Sequence, residues 1–218
     1  MTYNEIKKNK AIHNYIKAAD ASLGALGFTE HSFAHVTSVA EKAGYILDTL
    51  GYDERTVELV KIAGFMHDIG NCINRSHHAE YGGLLANDIL KEMDMPLQDR
   101  VTIVSAISNH DESTGTAVDP ISAALIIADK TDVRRNRVRN KAKATFDIHD
   151  RVNYAVTDTK LTIDMEQKSI TLHLEVDEEI CTMYEYFEIF LGRMMMSKKA
   201  AEILGMKFKL RVNGSKVL

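Results

Sequence analysis

A chain of 218 residues with 27 lysines and arginines against 31 aspartates and glutamates carries a net charge of −4, which excludes the broad positive field of a general nucleic-acid binder. With 45% hydrophobic residues, 27% charged residues and two prolines, the composition is that of a folded, helix-rich protein and excludes disordered and fibrous classes. Cys72 and Cys181 are too few and too far apart for a disulfide framework or a thiolate cluster; with no apolar signal core at the N-terminus and no apolar run longer than Ala123 to Ala128, a cytoplasmic chain with no membrane partner is expected.

From the N-terminus to about residue 140, amphipathic segments at helical period are separated by short Gly, Asp or Pro breaks. The first helix is expected over Tyr3–Leu26, ending at Gly27. The second follows His31 and Ser32 and carries Val36, Val39, Ala43, Ile46 and Leu50 to a stop at Gly51. Asp53 reads as the N-cap of a third, whose stripe Val57, Val60 and Gly64 ends on His67. A fourth is expected over His78–Met93, stopping before Pro96, and a fifth over Leu97–Asn109. The sixth opens on Asp119-Pro120, a capping residue followed by proline at the first helical position.

Beyond about His149 the period changes. Val156–Asp164 and Ile170–Val176 alternate around the polar turn Glu166–Ser169 and predict a β-hairpin. Asp177 is expected to cap a long helix bearing Ile180, Met183, Phe187, Phe190 and Met194, ended by Gly205 and followed by a short strand over Lys207–Val212. The expected fold is mostly α: a helical bundle over residues 1–148 and a small α+β extension over 149–218. So small an extension must bury its apolar face elsewhere. Packing onto the helical domain is the default; a homodimer through the extension, or a lid over the functional crevice, are the alternatives.

The segment Ala63–Gly70 carries the chemistry, because an apolar helix there ends on adjacent imidazole and carboxylate groups, His67 and Asp68. Groups of that kind are not buried alone. His35, His110 and Asp129 end or punctuate the apolar stripes of their own helices in the same manner. A bundle that gathers such side chains on its inner surface builds a divalent metal site, and imidazole with carboxylate suits manganese, iron, zinc or magnesium. Gly64, one turn before Asp68, leaves room for a neighbouring helix or ligand.

In order and helical context, His35, the pair His67-Asp68 and Asp129 resemble the H…HD…D signature of the HD-domain superfamily of metal-dependent phosphohydrolases over about residues 32–140. Thirty-two residues separate His35 from His67, and 61 separate Asp68 from Asp129. His78-Ala79-Glu80-Tyr81-Gly82 and His110-Asp111-Glu112 are similar to the further elements of the subset with two metals. The resemblance implies one ion held by His35, His67, Asp68 and Asp129, and a second held by Asp68, His78 and His110, with His77 the rival of His78. It also implies attack on phosphate by metal-activated water. Asn71 stands after His67-Asp68-Ile69-Gly70 where the cyclic-dinucleotide branch usually has lysine, which argues against that substrate.

Asp132 to Lys141 is a dense basic run just beyond Asp129. Lys130 is assigned a catalytic role with Asp68; Arg134, Arg135 and Arg137 are assigned to bind phosphate, against the alternative of a solvated helix end. Asp111, Glu112 and Asp132 remain open as acid or water-orienting group. The expected activity is hydrolysis of a phosphate ester or anhydride of a nucleotide-like small molecule, with no nucleic-acid polymer as partner. A di-iron oxygenase and a non-enzymatic nucleotide-binding regulator are the rival readings.

Overall fold

The computed structural model describes residues 1–142 and 145–217. Helices α1 (Tyr3–Ile6) and α2 (Lys10–Ala25) replace the single helix expected at the start. The break is local chemistry: the Asn9 side chain accepts from the Ala11 and Ile12 amides at 2.8 and 3.2 Å, starting a new helix where the period alone reads straight through. The next two starts follow the capping residues. Ser32 accepts from the Ala34 amide at the head of α3 (Phe33–Thr49), and Asp53 from the Thr56 amide at the head of α4 (Glu54–Met66).

After α4 the chain tightens into a 3-10 turn at Ile69–Cys72, then continues through α5 (His78–Glu92), α6 (Leu97–Ser108) and α7 (Pro120–Lys130). Asp119 and Ser122 cap α7 reciprocally, the Asp119 carboxylate accepting from the Ser122 amide at 2.7 Å. Every residue from Ile121 to Ala128 is buried, so α7 is the central rod of the bundle and delivers Asp129 and Lys130 from its C-terminal end.

A second 3-10 turn, Arg135–Arg137, precedes α8 (Ile148–Ala155), an eight-residue helix too short to stand out by periodicity. Strands β1 (Val156–Asp164) and β2 (Ser169–Val176) form the expected antiparallel hairpin, pairing Leu161 with Leu172 and Ile163 with Ile170. Helix α9 spans Met183–Ile203. Asp177 does not cap it: Thr182 does, in a capping box with Glu185, while the Asp177 carbonyl closes a turn by accepting from the Ile180 and Cys181 amides. The competing capper sits five residues on, and the intervening turn leaves Ile180 outside the helix.

Strand β3 (Lys207–Val212) joins the hairpin in parallel with β2, Leu172 beside Leu210, and β4 (Ser215–Lys216) returns antiparallel to β3. Parallel neighbours require a crossover, which α9 supplies. In crossing, α9 packs on α7 and buries Tyr186, Phe190, Met194 and Ala201, so one apolar core runs continuously from α2 through α7 to the sheet. The extension therefore rests on the helical part of the same chain. Among the described residues, no helix is long and apolar enough to cross a membrane.

One glycine sets the spacing of the bundle at the site. A Cβ on Gly64 of α4 would lie 2.8 Å from the Ala40 Cα of α3, so only glycine lets these two helices cross this closely. That approach places the rings of His35 and His67 with centroids 5.2 Å apart.

Candidate metal centre

Four buried imidazoles converge on one carboxylate. The Asp68 Oδ2 atom lies 3.5 Å from the His35 Nε2 and 3.3 Å from the His67 Nε2, while its Oδ1 lies 3.7 and 3.8 Å from the Nε2 atoms of His78 and His110. Asp129 adds its Oδ1 to the first pair, 3.4 Å from His35 and 3.7 Å from His67. The two oxygens of Asp68 thus face two different histidine pairs.

The outer nitrogen of each ring decides what the inner one offers. His67, His78 and His110 donate Nδ1–H to the carbonyls of Gly64, Arg75 and Ile107 at 2.8, 2.9 and 2.6 Å, and His35 donates to the Asp132 carboxylate at 2.8 Å. With Nδ1 committed as donor, Nε2 presents a lone pair to the centre. The Nε2 atoms of His78 and His110 face each other at 3.2 Å, and the buried Nε2 of His35, Nε2 of His67 and Oδ2 of Asp68 have no hydrogen-bond partner. Lone pairs crowded in this way call for a cation between them, so the donor set fits divalent metal. His35, His67 and Asp129 form one triad close enough to share an ion; His67, Asp68 and His110 form another.

Charge in the crevice agrees with the geometry. Burial pushes the Asp68 and Asp129 carboxyls up, but the neighbouring imidazoles, and Lys130 beside Asp129, outweigh it and hold both well below the usual carboxylate range. Burial opposes charge on His67, yet Asp68 and Asp129 raise it to about 10, so an ion at the centre takes the place of the proton these carboxylates favour on its Nε2; His78, desolvated and beside His110, falls to about 4.

The surroundings fix these groups in place. Asn71 donates to both the carbonyl and the Oδ1 of Asp68 at 3.0 Å, a positioning role for the residue that stands out after Gly70. Asp132 takes the His35 Nδ1–H on one oxygen and the Ser38 hydroxyl on the other, with Arg134 at 3.0 Å and the buried Arg137 at 3.7 Å behind it. Lys130 binds Asp129 Oδ2 at 2.9 Å and Glu112 at 2.6 Å, which leaves Asp129 Oδ1 for the centre. A Cβ on Gly70 would fall 2.0 Å from the His78 carbonyl oxygen and 2.4 Å from the Gly82 amide. Gly70→Ala should therefore cost roughly 1–3 kcal/mol and shift α5 with His78, read as a lower denaturant midpoint and weaker ion binding.

The structure brings His35, His67, Asp68, His78, His110 and Asp129 together, and His77 stays outside, exposed against Tyr81. The three arginines part company. Arg137 lines the crevice, whereas Arg134 and Arg135 line another cavity with Val156 and Thr159, and Arg135 lies over the Tyr154 ring and donates to the Tyr154 carbonyl. Arg75, Arg193 and His31 do line the crevice, and no sequence pattern points to them. His31 carries an early hint, standing one turn before His35 with its Nδ1–H on the Thr29 carbonyl at 2.7 Å and its ring edge-on to His35.

Comparison with known proteins adds to this geometry. A family model described as HD domain matches residues 32–137. An uncharacterized protein of Methanocaldococcus jannaschii is 26% identical over 173 residues, covering 68% of this chain and 66% of its own length. Ribonuclease Y of Campylobacter concisus is 28% identical over 119 residues, 55% of this chain and 21% of its own length. The chain thus spans slightly less than two thirds of the first relative and about a fifth of the second. The matched residues contain each of the six that converge on the centre, and over them the chain is similar to the HD domain.

Proposed function

We propose that the chain is a phosphohydrolase that uses two divalent ions, with a nucleotide-like phosphate ester or anhydride as substrate. The observation that carries this reading is the division of labour at Asp68, each of whose oxygens faces its own histidine pair. His35, His67, Asp68 and Asp129 would hold one ion; Asp68, His78 and His110 would hold the other. Bound ions of this kind make water acidic enough to attack near neutral pH and neutralise phosphoryl oxygens. Ribonuclease Y, by its name an enzyme acting on RNA, supports phosphoester cleavage as the reaction class.

The chain's own groups do the rest. Asp111 points Oδ2 to within 3.6 Å of the His78 Nε2 and takes the Ser113 amide at 2.9 Å on Oδ1. Burial raises its carboxyl, but Ser113, Lys130 and His78 bring it below the ordinary value; Glu112, against the same burial, is held at about 2 by Lys130 and Arg193. Both are ionised at neutral pH and accept protons or orient water rather than protonate a leaving group. Lys130 acts as a positioning residue for Asp129, and Asp132 as one for His35.

A metal-dependent assay on p-nitrophenyl phosphate tests the reading. Activity should appear with manganese, iron, zinc or magnesium and vanish with chelator. His78→Ala should lose one ion and at least about 100-fold in activity, more than the 10–100-fold typical of groups that only support a ligand. Hydrolysis that persists with chelator, or no hydrolysis with any of these metals, would refute it.

A further inference from the structure

A wider cavity, of about 360 Å³, adjoins the narrow metal crevice and shares His31, Arg75 and Arg193 with it. Phe28, half exposed, gives it an aromatic wall with Arg75 5.3 Å from the ring centre, while Phe190 is buried behind Arg193, which lies 4.8 Å from its ring centre. Asp147, Asp150 and Asn153 line the wider cavity and not the crevice. Its size suits a nucleoside-sized group, and the flat face of Phe28 favours a planar ring.

The two arginines are differently committed from the other cations of the crevice. Lys130 is held by Asp129 and Glu112, and Arg137 by the Asp132 carbonyl at 2.7 Å and the Glu30 carbonyl at 2.9 Å. Among the described residues no carboxylate pairs with Arg75, whose guanidinium meets Asn71 and His78, and Arg193 pairs with Glu112, a carboxylate Lys130 already neutralises. Two guanidinium groups at the junction match one phosphate dianion rather than the longer, more charged tail of a triphosphate. Beyond the junction, with Thr29 and His149, two residues offer acceptors. Asp150 is a carboxylate, and Asn153 donates its amide to the His149 carbonyl at 2.9 Å, leaving the side-chain oxygen to accept. Acceptors of this kind select a ring that carries an exocyclic amine and repel one that carries a carbonyl there.

We propose that this cavity receives an amine-bearing base of a nucleoside monophosphate, stacked on Phe28, while Arg75 and Arg193 grip its phosphate at the mouth of the crevice. The proposal rests on the phosphohydrolase reading of the crevice, and its test separates the two. Adenosine binding to the full, chelator-treated chain is measured by calorimetry, and hydrolysis of adenosine 5′-monophosphate, inosine 5′-monophosphate and p-nitrophenyl phosphate is measured with manganese. Adenosine should bind without metal, and kcat/KM for the adenine nucleotide should exceed that for the hypoxanthine one roughly tenfold. Phe28→Ala should weaken adenosine binding roughly tenfold, and the isosteric Asp150→Asn should collapse the preference between the two nucleotides. Metal-dependent hydrolysis of all three esters without preference, together with no adenosine binding, would overturn the cavity assignment and leave the reaction class standing. Adenosine binding that Phe28→Ala weakens, without turnover of any ester, would support the cavity and overturn the reaction.

Discussion

Asp68→Ala should abolish phosphate-ester hydrolysis, lowering kcat/KM by about 10⁴-fold or more, because a centre unable to keep either ion is left with little beyond the unassisted attack of water. The size of the effect follows from the position of the carboxylate. Removing any one histidine leaves the opposite pair and Asp68 in place, whereas removing Asp68 takes one oxygen from each pair at once. Asp68 contributes no large apolar area to the core, so the variant should keep the wild-type circular dichroism spectrum while losing activity. A fall of tenfold or less would mean that Asp68 serves one ion at most.

Asp132→Ala should be the most damaging change outside the six converging residues, and it should act on stability as well as on activity. Asp132 is 2% exposed and faces His35, Lys42, Arg134 and Arg137, with the Arg137 side chain itself buried. Burial pushes its carboxyl up, but His35, Lys42 and Arg137 hold it well below the ordinary range, so the native protein contains the anion. Deleting it strands buried positive charge, a loss of about 3–5 kcal/mol. It also frees the His35 ring from its fixed orientation, a loss of roughly 10–100-fold in ion affinity. Asp132→Asn, which keeps the shape and one acceptor, should be milder on both counts. Urea denaturation with and without manganese checks the first effect, and ion titration the second; an alanine variant within about 1 kcal/mol of wild type would contradict the electrostatic account.

How far the site could be read in the sequence depends on whether a residue's role is set by its own helix. His35 opens an apolar stripe and His67 and Asp129 each close one, and a helical stripe that begins or ends on a polar side chain directs that side chain inward wherever the helix packs. Their convergence was therefore legible, as were the caps Ser32, Asp53 and Asp119, whose chemistry is local. The positioning groups were not. Asp132 lies in a run of charges that reads as a solvated helix end, and its buried pairing with His35, 97 residues away, exists only in the folded chain. The arginines divide for the same reason: past the end of α7 the chain makes a 3-10 turn, and which of Arg134, Arg135 and Arg137 turns inward depends on backbone angles that no period records. Arg193 comes from α9, 63 residues beyond Lys130, and meets Glu112 because α9 packs on α7 as the crossover between two parallel strands. Asn9 and Thr182 show the complementary failure, where a side-chain cap overrode a hydrophobic stripe that reads through or starts too early.

Metal content per chain, measured by mass spectrometry after anaerobic purification of wild type and Asp68→Ala side by side, tests the two-ion centre most directly. The wild type should hold about two divalent ions and the variant should lose both, as one carboxylate facing two histidine pairs requires. A wild type that holds no ion after supplementation with manganese, iron, zinc and magnesium, or a variant that still holds two, would contradict it.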